Sequence, residues 1–347
     1  MKTYLVRDCA FIRLCGRYDT DEAGFRMIYS GAYADIAVTG SRFDAEIECV
    51  CDVRRHYVSF EVDGLLAQTF APIPGKHFYT VFLGMEPSRV HRVRIIKETQ
   101  CFFDESYVRL TRVRTDGEIK PLPPAKRRIE FIGDSITAGE GGRGPVSFDE
   151  WLPMMFSSHD NYTALTAKAF NADYSTLAIS GWGVITGWDN NPSSCVPAVY
   201  DRLYGYQNEK RYDFSFKPDT VVIALGTNDN NALSQTPYTD PADGSVHKLT
   251  DSAEDMKRLE DGACAFMRGI ASKNPGARLV WLCFYTGGCI HDALERAVER
   301  VKSDGTDAAF GVPLDLYHLP RGGMGSRYHP GAVSHRHIAR ELIKLLR

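Results

Sequence analysis

From the N-terminus to about residue 120 the chain alternates apolar and polar positions over short runs. In 58-VSFEV-62 and 90-VHRVRI-95 apolar side chains recur at every second position, the period of a strand with one wet face. The runs 45-AEIECVC-51, 56-HYVSFEVDG-64, 77-HFYTVFLG-84 and 90-VHRVRIIKE-98 are separated by turn signals, with Gly31, Gly40, Gly64, Gly75 and Gly84 as punctuation. No helical period intervenes. The pattern predicts a jelly-roll-like β-sandwich over residues 1–120. The segment 120-KPLPPAKRR-128 then breaks the alternation: its prolines stiffen the chain and its cations keep it solvated, so 121–127 reads as a linker.

Beyond the linker the texture changes. The apolar runs 129-IEFIG-133, 175-STLAIS-180, 220-TVVIALG-226 and 279-LVWLCFY-285 alternate with helical stretches near 161–170, 252–272, 290–302 and 332–346. In the last of these Ile338, Leu342 and Leu345 share one face. Continuous apolar strands between helices predict an α/β domain over 128–347, with a parallel sheet covered on both faces. There is no internal repeat and no low-complexity segment.

Composition narrows the functional classes. The 347 residues are 44% hydrophobic and 24% charged, which excludes disorder, and 41 Lys and Arg against 44 Asp and Glu leave a net charge of -3. That balance offers no basic stripe for nucleic acid and no polybasic tail for a membrane surface, and no apolar run reaches spanning length. Arg7, Asp8 and Arg13 interrupt any signal-peptide core at the N-terminus. The nine cysteines, Cys9, Cys15, Cys49, Cys51, Cys101, Cys195, Cys264, Cys283 and Cys289, form no CxxC pair. They read as small apolar residues in a reducing compartment, so the expected location is the cytoplasm.

Cofactor signals are weak. Gly181, Gly183 and Gly187 imitate a loose dinucleotide fingerprint with Asp201 downstream, but Trp182 would crowd a pyrophosphate and Asn190-Asn191-Pro192 interrupts the required helix. There is no GxxxxGK[ST] and no HExxH, and His335 and His337 diverge on a helix. Glu140 and Asp229 are not an obvious carboxylate pair for glycoside hydrolysis. The reading therefore carries no metal and no cofactor.

Sites in parallel α/β sheets form at the carboxyl ends of strands. The first strand exits into 133-GDSITAG-139, which would expose the Ser135 hydroxyl at the rim with its N–H at a helix N-terminus; alternatively Asp134 and Ser135 only cap that helix. The second exits into Ser180-Gly181-Trp182-Gly183 and the third into Gly226-Thr227-Asn228-Asp229. The Gly181 N–H and the Asn228 amide, beside a serine, suit an oxyanion hole, although both residue types also serve as plain turn residues. Tyr328-His329-Pro330 precedes the last helix and would bring His329 to the same rim.

These four blocks in this order resemble those of the SGNH, or GDSL-type, hydrolases, over essentially all of 128–347. With the leading sandwich and its segments 15-CGRYD-19, 29-YSGAYADIAVTG-40 and 60-FEVDG-64, the chain is similar to carbohydrate esterase family 2. The resemblance implies removal of O-acetyl groups from plant-type polysaccharides or oligosaccharides. It also implies Ser135 as nucleophile, His329 as base, and Ser135 N–H, Gly181 N–H and Asn228 as the oxyanion hole. Trp182 and Tyr328, beside those residues, are the expected sugar-stacking aromatics. Most such enzymes carry an aspartate three residues before the histidine, where this chain has Ser326. The imidazole must then be held from elsewhere, by a main-chain carbonyl or not at all. A carbonyl from 322-GGMGS-326 or a neighbouring loop is the expectation, with Asp315 and Asp229 as the alternative carboxylates. A lipase or thioesterase, or a non-catalytic glycan-binding protein with a decayed triad, are the competing readings.

Overall fold

The computed structural model describes residues 1–51, 54–100, 105–206 and 208–347. Cys101 lies outside them; the other eight cysteines are free.

The alternating N-terminal runs pair into two antiparallel sheets. One orders Tyr18–Asp21, Gly24–Met27, Tyr107–Thr115, Arg42–Val50 and Gly75–Leu83 side by side, with Lys2–Leu5 joining Tyr107–Thr115. The other orders Ile119–Lys120, Tyr33–Val38, His91–Lys97, Val58–Val62 and Leu65–Phe70, with Arg13–Cys15 joining Tyr33–Val38. Phe25, Phe43, Ile47, Val108 and Leu110 of the first sheet meet Ile36, Val38, Phe60, Val93 and Ile95 of the second in one core. That is a β-sandwich, as the period of two predicts.

The outer face of the second sheet is not simply wet. Asp35 is fully buried there, bonded by Arg94 Nε at 2.9 Å and by Arg92, while Arg94 lies 4.1 Å from the centre of the Tyr33 ring. Arg13, on the same sheet, reaches Asp173 at 3.2 Å and the Pro123 carbonyl. Polar residues at alternate positions here form ion pairs against the rest of the chain.

Residues 121–126 carry no regular structure, and a five-stranded parallel sheet follows. Its strands, in chain order, are Arg127–Gly133, Ala172–Ala178, Thr220–Ala224, Arg278–Leu282 and Ala308–Gly311, arranged spatially as second, first, third, fourth, fifth. Alternate side chains face opposite layers. Ile129, Phe131, Val222 and Val280 pack with Tyr162, Ile338 and Leu342. Ile132, Val221, Ile223 and Trp281 pack with Met256, Leu259, Met267, Leu294 and Val298. Helices Tyr162–Ala169, Ala253–Lys273, Cys289–Ser303 and Ala332–Leu345 supply those layers.

This strand order reverses direction between the first and third strands, and in open α/β sheets the crevice outside that reversal is where ligands bind. The exits carrying Ser135, Gly181 and Asn228 all open there. Gly181 to Gly187 opens no helix. Asp201 instead pairs with Arg211, so the fingerprint-like glycines belong to a turn.

Candidate active site

Asp134 caps the turn that follows the first strand: its Oδ1 accepts from Ile136 N–H at 3.0 Å. The capping reading is thus correct for Asp134, and it leaves the Ser135 side chain uncommitted to the backbone. The helix Ser135–Ala138 is only one turn long before Gly139, at φ 86°, ends it. Any favourable field at Ser135 therefore comes from local N–H groups and not from a long helix dipole. Ser135 is nearly buried, with 7% exposure.

Ser135 Oγ stands 2.9 Å from His329 Nε2, and His329 Nδ1 stands 2.7 Å from the Arg327 carbonyl oxygen. A carbonyl can only accept, so Nδ1 carries the proton and the neutral ring presents its Nε2 lone pair to the serine hydroxyl. Of the two alternative carboxylates, Asp315 accepts from Tyr317 N–H and His318, each at 3.0 Å. Asp229 accepts from Val184 N–H at 2.8 Å and Ile185 N–H at 3.0 Å. Both are engaged away from the imidazole.

The carbonyl is aimed by an unusual backbone. Arg327 (φ 51°, ψ 38°) and Tyr328 (φ 57°) are consecutive residues in the left-handed region, which costs a side-chain-bearing residue roughly 1–2 kcal/mol. Hydrogen bonds to a second loop hold them there: Ser326 N–H to Gly141 O (3.2 Å), Ser326 Oγ to Arg143 O (2.7 Å) and Arg327 N–H to Phe148 O (2.8 Å). Ser326, in the place of the usual acid, is fully buried and turned to Arg143, not to the imidazole. Gly141 lets the loops meet, since a Cβ there would lie 2.4 Å from His329 Cβ.

Around the serine, Gly181 sits at φ 82°. Among the described residues, neither its N–H nor that of Ser135 donates a hydrogen bond. Asn228, 5% exposed, spends one amide hydrogen on the Trp182 carbonyl at 2.9 Å. Its amide nitrogen also lies 3.4 Å from Asp134 Oδ2, a long contact. Burial pushes the Asp134 carboxyl up to about 7 and that of Asp229 up to about 6. Of the three sequence-predicted oxyanion groups, the Ser135 and Gly181 N–H groups are thus without a backbone acceptor among the described residues, and the Asn228 amide is turned to the Trp182 carbonyl.

The aromatic expectations divide. Tyr328 is 81% exposed beside His329. The Trp182 ring is 8% exposed, lies in the hydrophobic core and packs on Tyr206 at 5.3 Å, so its face is not offered to a ligand. Trp188 is the exposed tryptophan at this rim: it is 49% exposed, and a Cβ on Gly181 would lie 3.0 Å from its Cδ1. Tyr317, also exposed, packs on Tyr285 with the ring centres 5.0 Å apart and the planes tilted by 42°.

Three polar residues at the site were not marked by any sequence motif. Glu140 is buried, accepts from Ser180 Oγ, and lies 4.0 Å from His329 Nε2. Gln100, from the sandwich, accepts from Ser180 N–H at 2.9 Å. Glu98, fully buried, accepts from Ser158 N–H, and from His159 N–H and Arg143 at 3.2 Å each. Glu140 follows Ser135 within one block and could have been suspected. Glu98 and Gln100 reach the site only through the fold.

Comparison with known proteins bears on the fold and the family. An acetylxylan esterase/glucomannan deacetylase of Cellvibrio japonicus (strain Ueda107) is 36% identical over 174 residues, 48% of this chain and 47% of the relative. The chain thus spans about half the length of that curated relative. The structure of an acetyl xylan esterase from the rumen bacterium Butyrivibrio proteoclasticus superposes with TM-score 0.94 at 29% identity, covering 100% of this chain and 98% of that one. A family two carbohydrate esterase from Clostridium thermocellum, solved with cellohexaose, superposes with TM-score 0.81 at 22% identity, covering 96% of this chain and 98% of that one, a likeness of fold. The GDSL-like lipase/acylhydrolase family matches residues 131–336, more than half of the chain and the whole stretch from the first parallel strand to the last helix. With a match that runs over both the serine turn and the histidine loop, the chain belongs to the GDSL, or SGNH, hydrolase family.

Proposed function

We propose that the protein is a serine esterase that removes O-acetyl groups from plant-type polysaccharides or their oligosaccharides. The observation that carries this reading is the hydrogen-bonded line from Ser135 Oγ through the His329 ring to the Arg327 carbonyl. In the first half-reaction Ser135 Oγ bonds to the acetyl carbonyl carbon while its proton passes to His329 Nε2. The oxyanion rests on Ser135 N–H, Gly181 N–H and the Asn228 amide. Collapse breaks the bond to the sugar oxygen, which takes the proton from Nε2 and leaves as an alcohol. Water then gives a proton to Nε2 and attacks the acetyl-serine; the bond to Oγ breaks, Oγ takes the proton back from Nε2, and acetate leaves.

The glycan part of the reading draws on the printed activities of the relatives, acetylxylan esterase and glucomannan deacetylase, and on the bound cellohexaose of a structural neighbour. It also draws on the exposed rings of Trp188, Tyr317 and Tyr328, since sugars present apolar faces to such rings. The test is acetate release from acetylated xylan and glucomannan beside hydrolysis of a long-chain acyl ester. Faster acetate release from the glycans is expected. Preference for the long chain would make it a lipase, and glycan binding without turnover would make it a binding module.

A further inference from the structure

A main-chain carbonyl fixes the tautomer of His329 but brings no full negative charge to the imidazolium that forms when the serine proton is taken. A full charge is nevertheless present, at the other end of the ring. Glu140 is 2% exposed, and its Oε1 lies 4.0 Å from His329 Nε2 and 3.8 Å from Arg327 Nε, neither distance a hydrogen bond. Its Oε2 is held by the Ser180 hydroxyl, which keeps Oε1 from closing on Nε2 and competing with Ser135 for the proton.

We propose that Glu140 is a positioning residue acting through His329: its carboxylate supplies the charge stabilisation of the imidazolium that an aspartate at position 326 would otherwise give. The inference rests on the Ser135–His329 dyad reading and deepens it. Buried carboxylates are costly unless a charge partner or hydrogen bonds offset the desolvation. Glu140 has one hydroxyl and one arginine that is not in hydrogen-bond contact, and its cationic partner at Nε2 arises during turnover. Opposite charges within 4–6 Å shift a proton equilibrium by about one to three units. Arg327 opposes the effect in part, because its guanidinium lies 3.8 Å from the same Glu140 oxygen. The remaining titratable neighbour, His335 of the last helix, is buried, which pushes it down to about 4; it is therefore neutral near pH 7 and adds no charge.

The test is an NMR titration of the His329 ring in the full-length protein, a readout that needs no turnover. Glu140→Gln should move its titration midpoint to lower pH by about one unit or more, and Arg327→Met should move it to higher pH. With a small acetyl ester, Glu140→Gln should lower kcat by roughly tenfold or more while KM changes little, and shift the acid limb of the kcat/KM profile in the same direction as the midpoint. An unmoved midpoint in a folded Glu140→Gln protein overturns the proposal. If that variant does not fold, Glu140→Asp takes its place: it keeps the charge but draws it back from Nε2, and an unmoved midpoint there overturns the proposal equally. Moved midpoints with no ester hydrolysed would count against the esterase reading and leave the action of Glu140 on the ring standing.

Discussion

Ser135 and Asn228 stand at the site for different reasons, and their substitutions separate those reasons. Asp134 caps the serine turn, so Ser135→Ala removes no backbone bond. Turnover should fall by several orders of magnitude at an almost unchanged melting temperature, because a nucleophile and its base act as a unit. Steady-state kinetics with an aryl acetate checks this, and residual activity above about a tenth would remove Ser135 from the chemistry. Asn228→Ala should lower kcat by about a hundredfold to a thousandfold with KM little changed. It should also cost about 1–3 kcal/mol of stability, because the Trp182 carbonyl loses its donor. An effect confined to KM would make Asn228 a substrate-binding residue. Residue types were readable here without the fold; ring directions were not. Trp182 and Trp188 follow the same strand, and nothing in their spacing tells which ring enters the core.

The loop 325–329 is the element on which the missing acid turns. Ser326→Asp would restore the usual family residue, yet the site is fully buried and faces the Arg143 carbonyl. A carboxylate there meets an acceptor, so the variant should melt earlier by several kcal/mol and gain no kcat. Thermal denaturation with kinetics decides, and a rise in kcat would show the new carboxylate reaching Nδ1. The alternating runs at Val58–Val62 and His91–Lys97 and the four apolar parallel strands were legible because period and burial coincide. The fifth parallel strand, Ala308–Gly311, was missed: it is a four-residue edge strand, and with Phe310 among two alanines and a glycine it lacks the β-branched signal. The glycine-rich run before Ser326 signalled a turned carbonyl. The carbonyl itself comes from Arg327, because the left-handed pair lies one residue further on.

At the scale of the molecule, the sandwich braces the parallel sheet and two of the turns at its rim. Arg17 is fully buried against the parallel sheet, 2.7 Å from the Tyr200 carbonyl and 3.3 Å from Glu130. Gln100 and Glu98 hold the turns at Ser180 and Ser158. No sequence motif shows this, because such contacts join residues far apart in the chain. Gln100→Leu should therefore lower kcat for acetyl esters by roughly tenfold through the Gly181 turn, with substrate affinity little changed; unaltered kinetics would reduce the tether to a structural role. His159 joins the two parts through Glu61 at 3.1 Å. The hydrogen bonds that it donates to Asp160 first, and then to Glu61, raise it from 6.5 to about 9. Raised in the folded state, it contributes stability that is complete below about pH 6.5 and is lost as pH rises through 9. Asp134 is half-titrated at about pH 7 and Asp229 at about 6, so the window from about 8 to 10 isolates the histidine from them. The melting temperature should fall across that window, and Glu61→Gln should flatten part of the fall; an unchanged slope would mean the contact contributes nothing.

The proposed function makes all these parts serve one covalent event, the transfer of an acetyl group to Ser135. Rapid-quench peptide mass spectrometry of the full-length protein mixed with an activated acetyl ester tests it most directly. The account predicts one acetyl group, on the peptide bearing Ser135, that forms and disappears on the timescale of turnover and is absent from Ser135→Ala. Turnover without that adduct, or an acetyl group carried through the cycle by another residue, would contradict it.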